Sequence, residues 1–190
     1  MTANIAIELN EEDLEEVRRR FTDPRPVLTA LGLVILSKSQ NAFKKQRLGR
    51  TPWPPRHVPN VAGIVSDLNR GAKPPSRRFQ PRPALVDTGR LRNSLGMQVG
   101  IDAVNVGTDV KYAKDHEQGK TVTIKLTKAG KSGLKVFLKK RPELGDSLGF
   151  LFKKSTFKVK LRKRPIVEAD NDDLNRMVEL VERYAAGESV

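Results

Sequence analysis

The chain has 190 residues, 37% of them hydrophobic and 5% aromatic, with a net charge of +14 and no cysteine. The length suits one ordinary domain, and the lack of cysteine excludes disulfide scaffolds and thiolate metal sites and favours synthesis in a reducing cytoplasm. Residues 30–36 form the longest apolar run, far short of the roughly 18 residues of a membrane span, and the acidic start is unlike a secretory signal.

The charges are unevenly distributed along the chain. Residues 120–164 hold 15 Lys or Arg against two acids, and residues 38–82 hold 11 against one. Residues 8–16, in contrast, contain six acids and no base. Clustered cations attract phosphates or acidic protein surfaces, although a solvated basic surface is the simpler alternative. The two basic blocks therefore predict an anionic partner.

Two helices are predicted in the first quarter of the chain. Residues 10–21 place acids in the first turn and arginines in the last, with Asn10 as the cap, which complements the helix dipole. A proline-rich break separates this first helix from a longer second helix over residues 26–47. Gly49 is a natural stop for the second helix. The apolar positions of this second helix fall on one stripe: Leu28, Leu31, Ile35, Ala42 and Phe43.

Residues 49–83 are rich in proline, which prevents a continuous helix or a central strand. We expect an irregular, functional loop that a partner orders, with a brief apolar patch over residues 61–68. Trp53, the only tryptophan, is expected to anchor the start of this loop.

The central part of the chain predicts a compact α+β core. Thr88 caps a short helix over residues 87–95, and Gly119 ends a helical turn over residues 112–118. Alternating apolar residues predict strands, with Val122, Ile124 and Leu126 facing inward in the last of them. These strands cover residues 97–101, 103–110 and 121–126.

Residues 127–163 are predicted to form a long β excursion. Phe157, Val159 and Leu161 alternate with three cations, so one face of the strand is apolar and the other is basic. Leu134, Val136 and Leu138 supply the expected partner strand, with an exposed apolar tip at residues 148–152 between them. The cations of the two strands are Lys135, Lys139, Lys158, Lys160 and Arg162.

The last element, residues 171–186, has the clearest helical pattern. Asp170 or Asn171 can cap it, and Gly187 ends it. Its apolar stripe consists of Leu174, Met177, Val178, Val181 and Ala185.

The sequence contains no recognisable active site. His116-Glu117 begins like a zinc-protease motif, but the position of the second histidine is Lys120. Asp109, Asp115, His116 and Glu117 include oxygen ligands for magnesium, although acids beside a turn more often act as caps and surface pairs. We expect no enzyme activity, no cofactor and no metal.

Four motifs follow one another in a recognisable order. They are Thr51-Pro52-Trp53, Leu85 to Leu95 (LVDTGRLRNSL), Gly107 to Gly119 (GTDVKYAKDHEQG) and Arg164-Pro165 before the last helix. The set resembles the phage virion morphogenesis family, typified by the Mu G protein and loosely similar to tail-completion proteins of long-tailed phages. The family patterns are L-x-D-T-G-x-L-x-x-S, G-T-x-x-x-Y-A-x-x-H-x-x-G and R-P-F-L. The likeness spans residues 26–186. Ile166-Val167 replaces Phe-Leu, and residues 127–163 exceed the usual family length.

The resemblance implies an α+β fold, a small antiparallel sheet packed against a long helix from the amino-terminal half and a carboxyl-terminal helix. It also implies a single virion-morphogenesis domain over residues 1–190, from which the basic β-hairpin and the proline-rich loop extend. Leu91, Leu95, Tyr112 and Ala113 would be core residues, and His116 would make a structural hydrogen bond before Gly119 or an intersubunit contact. The signature residues expected to have structural roles are Thr88, Gly89, Leu91, Tyr112, His116 and Gly119.

The function implied is a structural component of the phage neck that joins head and tail, within a homo-oligomeric ring, most plausibly six-fold. Other neck and tail proteins are the expected partners, with sequence-independent contacts to DNA in the channel as a further possibility. The alternatives are a tail terminator, a head-tail connector, or a free basic nucleic-acid-binding protein. The candidate interaction residues are Lys135, Lys139, Lys140, Lys158, Lys160, Arg162, Arg77 and Arg78.

Overall fold

The structure is a computed structural model that describes residues 11–190, without the side chain of Asp13. The predicted cap Asn10 lies outside these residues. The helices are α1 (Glu11–Arg20), α2 (Arg25–Lys45), α3 (Val61–Asn69), α4 (Arg90–Asn93), α5 (Tyr112–Gln118), α6 (Lys128–Lys140), α7 (Gly145–Leu148), α8 (Phe150–Lys153) and α9 (Asn171–Ala185). Short 3-10 helices cover Ser76–Arg78 and Pro142–Leu144. Over the described range, no helix is both long and apolar enough to cross a membrane.

Within residues 11–190 the strands pair in three small antiparallel sheets. They are β1 (Arg47–Leu48), β2 (Thr51–Pro52), β3 (Gly96–Val99), β4 (Val104–Gly107), β5 (Lys120–Lys125) and β6 (Thr156–Leu161). β1 pairs with β2, β3 with β4, and β5 with β6. The predicted α+β class is therefore confirmed, with the antiparallel pairing divided among separate two-stranded sheets.

The chain divides into two compact units. One comprises the described residues up to Ala42, with Ser94–Asp109 and Val167–Val190, and the other comprises Phe43–Asn93 and Val110–Ile166. We call them the terminal unit and the central unit.

In the terminal unit, the first and last helices are held together by polar and aromatic contacts. The Tyr184 hydroxyl lies 3.0 Å from the backbone carbonyl of Arg20 and 2.9 Å from that of Asp23, so its single hydrogen can be donated to either. The Phe21 and Tyr184 rings meet edge to face, with centroids 5.4 Å apart. The Arg20 guanidinium also donates to the carbonyl of Ala185. These contacts attach the carboxyl end of α9 to the chain that follows α1.

The start of α9 is fixed by a capping box and an ion pair. The Asp170 carboxylate accepts a hydrogen bond from the Asp173 backbone at 3.1 Å, and the Asp173 carboxylate accepts one from Asp170 at 2.8 Å. Lys38 of α2 pairs with both acids, at 2.8 Å from Asp170. Asp170 is thus the cap, and the prediction for this helix is confirmed. Its predicted apolar stripe is only partly covered, since Leu174 and Val178 are 50% and 55% exposed.

The core of the central unit is built by helices that sequence reasoning did not expect. The buried side chains of this core pack together, and they come from α3, α6, α7, α8 and the end of β5. They are Ile64, Val65, Leu68, Leu126, Leu134, Phe137, Leu148 and Leu151. Buried Phe43 of α2 meets buried Trp53 edge to face, at 5.2 Å between ring centroids. Trp53 therefore anchors the start of the proline-rich segment, as predicted.

Two predictions for this unit are wrong. The segment 49–83 is not irregular throughout, because Asn60 caps α3 and the helix places Ile64, Val65 and Leu68 in the core. The segment 127–163 is not a β excursion either. Thr127 caps α6 by accepting a hydrogen bond from the Gly130 backbone at 3.0 Å, and the expected partner strand is this helix.

The basic strand β6 itself is confirmed, but its partner is β5. Val122 pairs with Val159 and Ile124 with Phe157 on the half-buried face, while Lys158 and Lys160 lie on the exposed face. The apolar tip is also covered in part: Leu148 and Leu151 are fully buried, whereas Phe150 and Phe152 are 41% and 40% exposed. Apolar spacing at positions 134, 137 and 138 suits a helix, and a cap selects it over the alternation that we read as a strand.

Smaller differences concern the ends of elements. α2 ends at Lys45, and Gly49 lies in the turn between β1 and β2. The predicted strand 97–101 ends at Val99, which leaves Ile101 in the turn with 86% of its surface exposed. The remaining strand and helix predictions agree with the structure to within a few residues.

Candidate functional site

The central unit contains a cavity of about 780 Å³ that we take as the candidate site. Four stretches of chain supply its walls: residues 56–63, residues 84–91 except Gly89, the α5 residues Tyr112 and His116, and the β6 region. The β6 region contributes residues 158–162 and Arg164, and Ser147 completes the lining. Most of the walls near α3 and the 84–91 stretch are aliphatic, since they include Val58, Val61, Leu85, Val86 and Leu91.

Residues of three separate sequence motifs meet at this cavity. Thr88 and Leu91 come from the Asp-Thr-Gly motif, Tyr112 and His116 from the Tyr-Ala-x-x-His motif, and Arg164 from the Arg-Pro motif. Sequence reasoning assigned these residues to the packing of the fold. The structure brings them together around an open space, so the motif residues form a surface available to a partner.

Backbone geometry explains why two glycines belong to these motifs. Gly89 has φ +75°, a conformation that favours glycine, and the turn lets the backbone amide of Arg90 donate to the Thr88 hydroxyl at 3.4 Å. Gly119 has φ +73°, and a Cβ there would lie 3.0 Å from the Lys163 backbone nitrogen. The chain after α5 can therefore pass close to the end of β6. The Arg164 amide then donates to the His116 carbonyl at 2.8 Å.

The lining is strongly cationic. It contains six Lys or Arg residues and two histidines against a single acid, Asp87. The basic residues are Arg56, His57, Arg90, His116, Lys158, Lys160, Arg162 and Arg164. Since cations in a concave, partly apolar site interact with less screening than on an open surface, the cavity attracts anionic groups.

Arg164 is the most informative of these cations. It is only 6% exposed, and its guanidinium donates to the backbone carbonyls of Pro54 at 3.0 Å and Pro55 at 3.1 Å. No carboxylate among residues 11–190 forms an ion pair with it. Burial and the neighbouring Arg162 lower the pKa of Arg164. A buried cation without a counter-ion is costly, and an anion in the cavity would compensate it.

Arg56 lies at another wall of the cavity, and its pKa is lowered by burial as that of Arg164 is. One of its terminal nitrogens donates to the Arg77 carbonyl, but its buried Nε has no hydrogen-bond partner. Burial lowers the pKa of Arg56, nearby Asp87 opposes that effect, and the neighbouring Arg78 adds to it. The excess of positive charge therefore extends across the cavity.

Two predicted interaction residues, Arg77 and Arg78, are bound to acids within the unit. Arg78 donates from Nε to Asp67 at 2.9 Å and from Nη1 to Asp87 at 3.0 Å, and its side chain is 11% exposed. Burial alone would lower the pKa of Arg78, but the bonds to Asp67, aided by Asp87, raise it. Arg78 is thus held by two acids of its own unit, and its predicted role in an interface stays a prediction. Arg77 lies 3.2 Å from Asp87 and is 41% exposed.

The other predicted interaction residues fall into two groups. Lys158, Lys160 and Arg162 are exposed and line the cavity. Lys135, Lys139 and Lys140 are exposed on α6 and do not line it. Sequence reasoning missed Arg56, Arg90 and Arg164 as cavity residues. Only Arg164 carried a signal, because it opens the Arg-Pro motif.

The predicted roles of His116 and Tyr112 compare differently with the structure. The backbone carbonyl of His116 accepts a hydrogen bond from the Arg164 amide, and the buried Nδ1 of its side chain makes no hydrogen bond in the described part of the chain. The structural bond or intersubunit contact expected of His116 stays a prediction. Tyr112 is 43% exposed and does not belong to the core, whereas Leu91, Leu95 and Ala113 are buried as predicted.

The acids considered as magnesium ligands are not gathered around an ion site. Asp115 forms an ion pair with Lys120 at 2.9 Å. Within residues 11–190, no group of three or more His, Asp or Glu side chains could hold a metal ion.

Comparison with known proteins agrees with the motifs that surround the cavity. No curated protein and no solved structure matches the chain. The family model described as the phage virion morphogenesis family matches residues 6–185. This match covers nearly all of the 190 residues, including every lining residue of the cavity. The chain therefore belongs to the phage virion morphogenesis family, whose members are structural components of phage particles.

Proposed function

We propose that this protein is a tail-completion or neck component that helps to join head and tail in a tailed phage, without catalysing a reaction. The family match over residues 6–185 is the observation that carries the proposal. The basic cavity supports it, because a concave surface with apolar walls and cationic side chains suits an acidic protein segment.

A closed oligomeric ring, most plausibly six-fold, is the form in which we propose that the protein acts. Neck layers of a phage surround a channel, and a ring closes only if two different surfaces of each subunit meet in a rotationally repeated contact. The chain offers suitable contrasting surfaces, since its basic cavity and its acidic residues 8–16 carry opposite charges. A tail terminator or a head-tail connector would use the same kind of contact.

Electron microscopy of particles assembled without this protein tests the joining role. We expect filled heads and separate tails of normal length. Particles that remain fully joined would contradict the proposal. Abnormally long tails would instead assign the protein to tail termination.

A second candidate function is free nucleic-acid binding, which the exposed cations Lys135, Lys139 and Lys140 on α6 favour. Such binding would be independent of sequence and would weaken steeply as the salt concentration rises. Titration of the purified protein with a double-stranded oligonucleotide at physiological salt separates the two functions. Tight binding would favour this second candidate.

A further inference from the structure

The basic cavity lies alongside β6, a strand at the edge of a two-stranded sheet. Five consecutive residues, Lys158 to Arg162, contribute to the lining. Because successive side chains of a strand point to opposite faces, the strand must border the cavity along its length. In the described part of the chain β6 pairs only with β5. The exposed residues Lys158, Lys160 and Arg162 therefore present a row of positive charges to a partner bound in the cavity.

The chemistry of the lining defines the occupant that the cavity suits. The half-buried aliphatic residues Val61, Leu85 and Val86 offer apolar contact. Lys158, Lys160 and Arg162 offer positive charge in the same lining. In the described residues, the side chain of the buried Arg164 donates to backbone carbonyls and forms no ion pair with a carboxylate. These features favour a polypeptide that combines carboxylates with aliphatic side chains over a nucleic acid, which has no aliphatic side chains to fill the apolar wall.

The chain itself contains a segment with that composition. Residues 8–16 have six acids, no base and two leucines, Leu9 and Leu14. Within the described part of this segment, Glu11 and Glu15 are exposed and Leu14 is 49% exposed. The segment thus carries the carboxylates that suit the cationic lining and the apolar groups that suit the aliphatic walls.

We propose that the cavity of one subunit binds the acidic segment, residues 8–16, of a second copy of this chain. The inference rests on the oligomeric ring proposed above and identifies its contact. Two different surfaces of each subunit meet in this way, so the contact is heterologous and can repeat around a ring. It also places opposite charges together in a chain whose net charge of +14 otherwise opposes self-association.

The test is the oligomeric state of full-length protein, measured by light scattering after size-exclusion chromatography. The cavity variant is Lys158→Glu with Lys160→Glu, and the segment variant is Glu8→Lys with Glu11→Lys. The charge-swap variant combines all four substitutions. The matched control is Lys153→Glu with Lys154→Glu, which makes the same charge change at exposed positions of the central unit outside the cavity. Circular dichroism checks that each variant is folded.

We expect the wild type and the control to be oligomeric, and the cavity and segment variants each to associate at least about tenfold more weakly. The charge-swap variant should recover association, because the two surfaces again carry opposite charges. A monomeric wild type of 21.2 kDa, equal dissociation of the cavity variant and the control, or no recovery in the swap variant would each overturn the proposal.

The competing occupant of the cavity is a nucleic acid, and binding of a single-stranded oligonucleotide to the wild type and the cavity variant tests for it. If the cavity variant loses oligonucleotide binding while the oligomer persists, the cavity is a nucleic-acid site and the proposal is wrong. The experiment distinguishes failure of the proposed contact from failure of the proposed joining role. If the contact is wrong, the substitutions leave the oligomer intact. If the joining role is wrong, the oligomer dissociates as expected but particles made with the variants remain joined.

Discussion

The indole nitrogen of Trp53 donates a hydrogen bond of 2.8 Å to the backbone carbonyl of Pro165, which lies 112 residues later in the chain. This bond joins the first and the last of the four sequence motifs. Arg164, the residue before Pro165, in turn donates to the carbonyls of Pro54 and Pro55. The Thr-Pro-Trp and Arg-Pro motifs therefore stabilise each other, and their contact holds Arg164 at the cavity wall.

Replacement of Trp53 by phenylalanine should destabilise the protein by about 1–3 kcal/mol, because the buried Pro165 carbonyl loses its donor while the apolar contact with Phe43 is largely kept. Chemical denaturation followed by circular dichroism measures the change. Phe152→Leu, at a position that is 40% exposed, is the control and should change the stability by less than about 0.5 kcal/mol. Equal effects of the two substitutions would show that the indole hydrogen bond contributes little.

Replacement of Gly32 by alanine should destabilise the protein, although alanine normally favours a helix by about 0.5–1 kcal/mol. A Cβ at this position of α2 would lie 2.7 Å from Val104 Cγ2 and 2.9 Å from Met97 Sδ. Such overpacking costs about 1–3 kcal/mol, and the stiff valine cannot move aside freely. Thermal unfolding measures the effect.

Gly133→Ala in α6 is the matched comparison, because a Cβ there would lie at an ordinary 3.5 Å from Leu68 Cδ2. This substitution should be neutral or stabilising. If both alanines stabilise the protein, the close packing of α2 against β3 and β4 is not as the structure has it.

Replacement of Leu134 by alanine should lower the free energy of unfolding by about 2–5 kcal/mol, as expected for a large core residue that leaves a cavity. Leu134 is fully buried among the core residues of the central unit, whereas Val136, two positions later on the same helix, is 59% exposed. Val136→Ala should therefore change stability by less than about 0.5 kcal/mol. Similar, large losses for both substitutions would restore the strand that the sequence pattern suggested, in which the two residues share one face.

Stability should fall as the pH decreases from 7.5 to 5.5, because burial and nearby Arg164 lower the pKa of His116 while Asp115 only partly opposes them. The unfolded chain then binds a proton near the ordinary histidine value of about 6.5, before the folded chain does. The stabilisation is therefore present above that value and is lost as the pH falls through it.

The His116→Asn variant should show a smaller decrease over the same pH range. Denaturation curves of the wild type and the variant at the two pH values measure the difference. His116→Gln, which is closer in volume, separates loss of the titrating group from loss of packing. An unchanged pH dependence in both variants would show that His116 does not contribute to it.

Much of this protein could be recognised from the sequence alone. The capped amphipathic helices and the alternating strands produce local signals, since dipole charges, caps and apolar spacing act within a few residues. The ordered motifs indicated the family, and the alternation of Lys158 and Lys160 with Val159 identified the basic face of β6. These properties depend on the chain next to each residue.

Only the tertiary structure decided what depends on contacts between distant residues. Positions 128–140 fit a strand or a helix locally, and burial of Leu134 and Phe137 in the same core as α3 adds to the Thr127 cap in favouring the helix. Arg78 and Arg164 look alike in the sequence, but Asp67 and Asp87 neutralise the first, while the second is buried among backbone carbonyls. The cavity exists because α5, β6 and the segments around Arg56 and Thr88 converge, and no local pattern encodes that meeting.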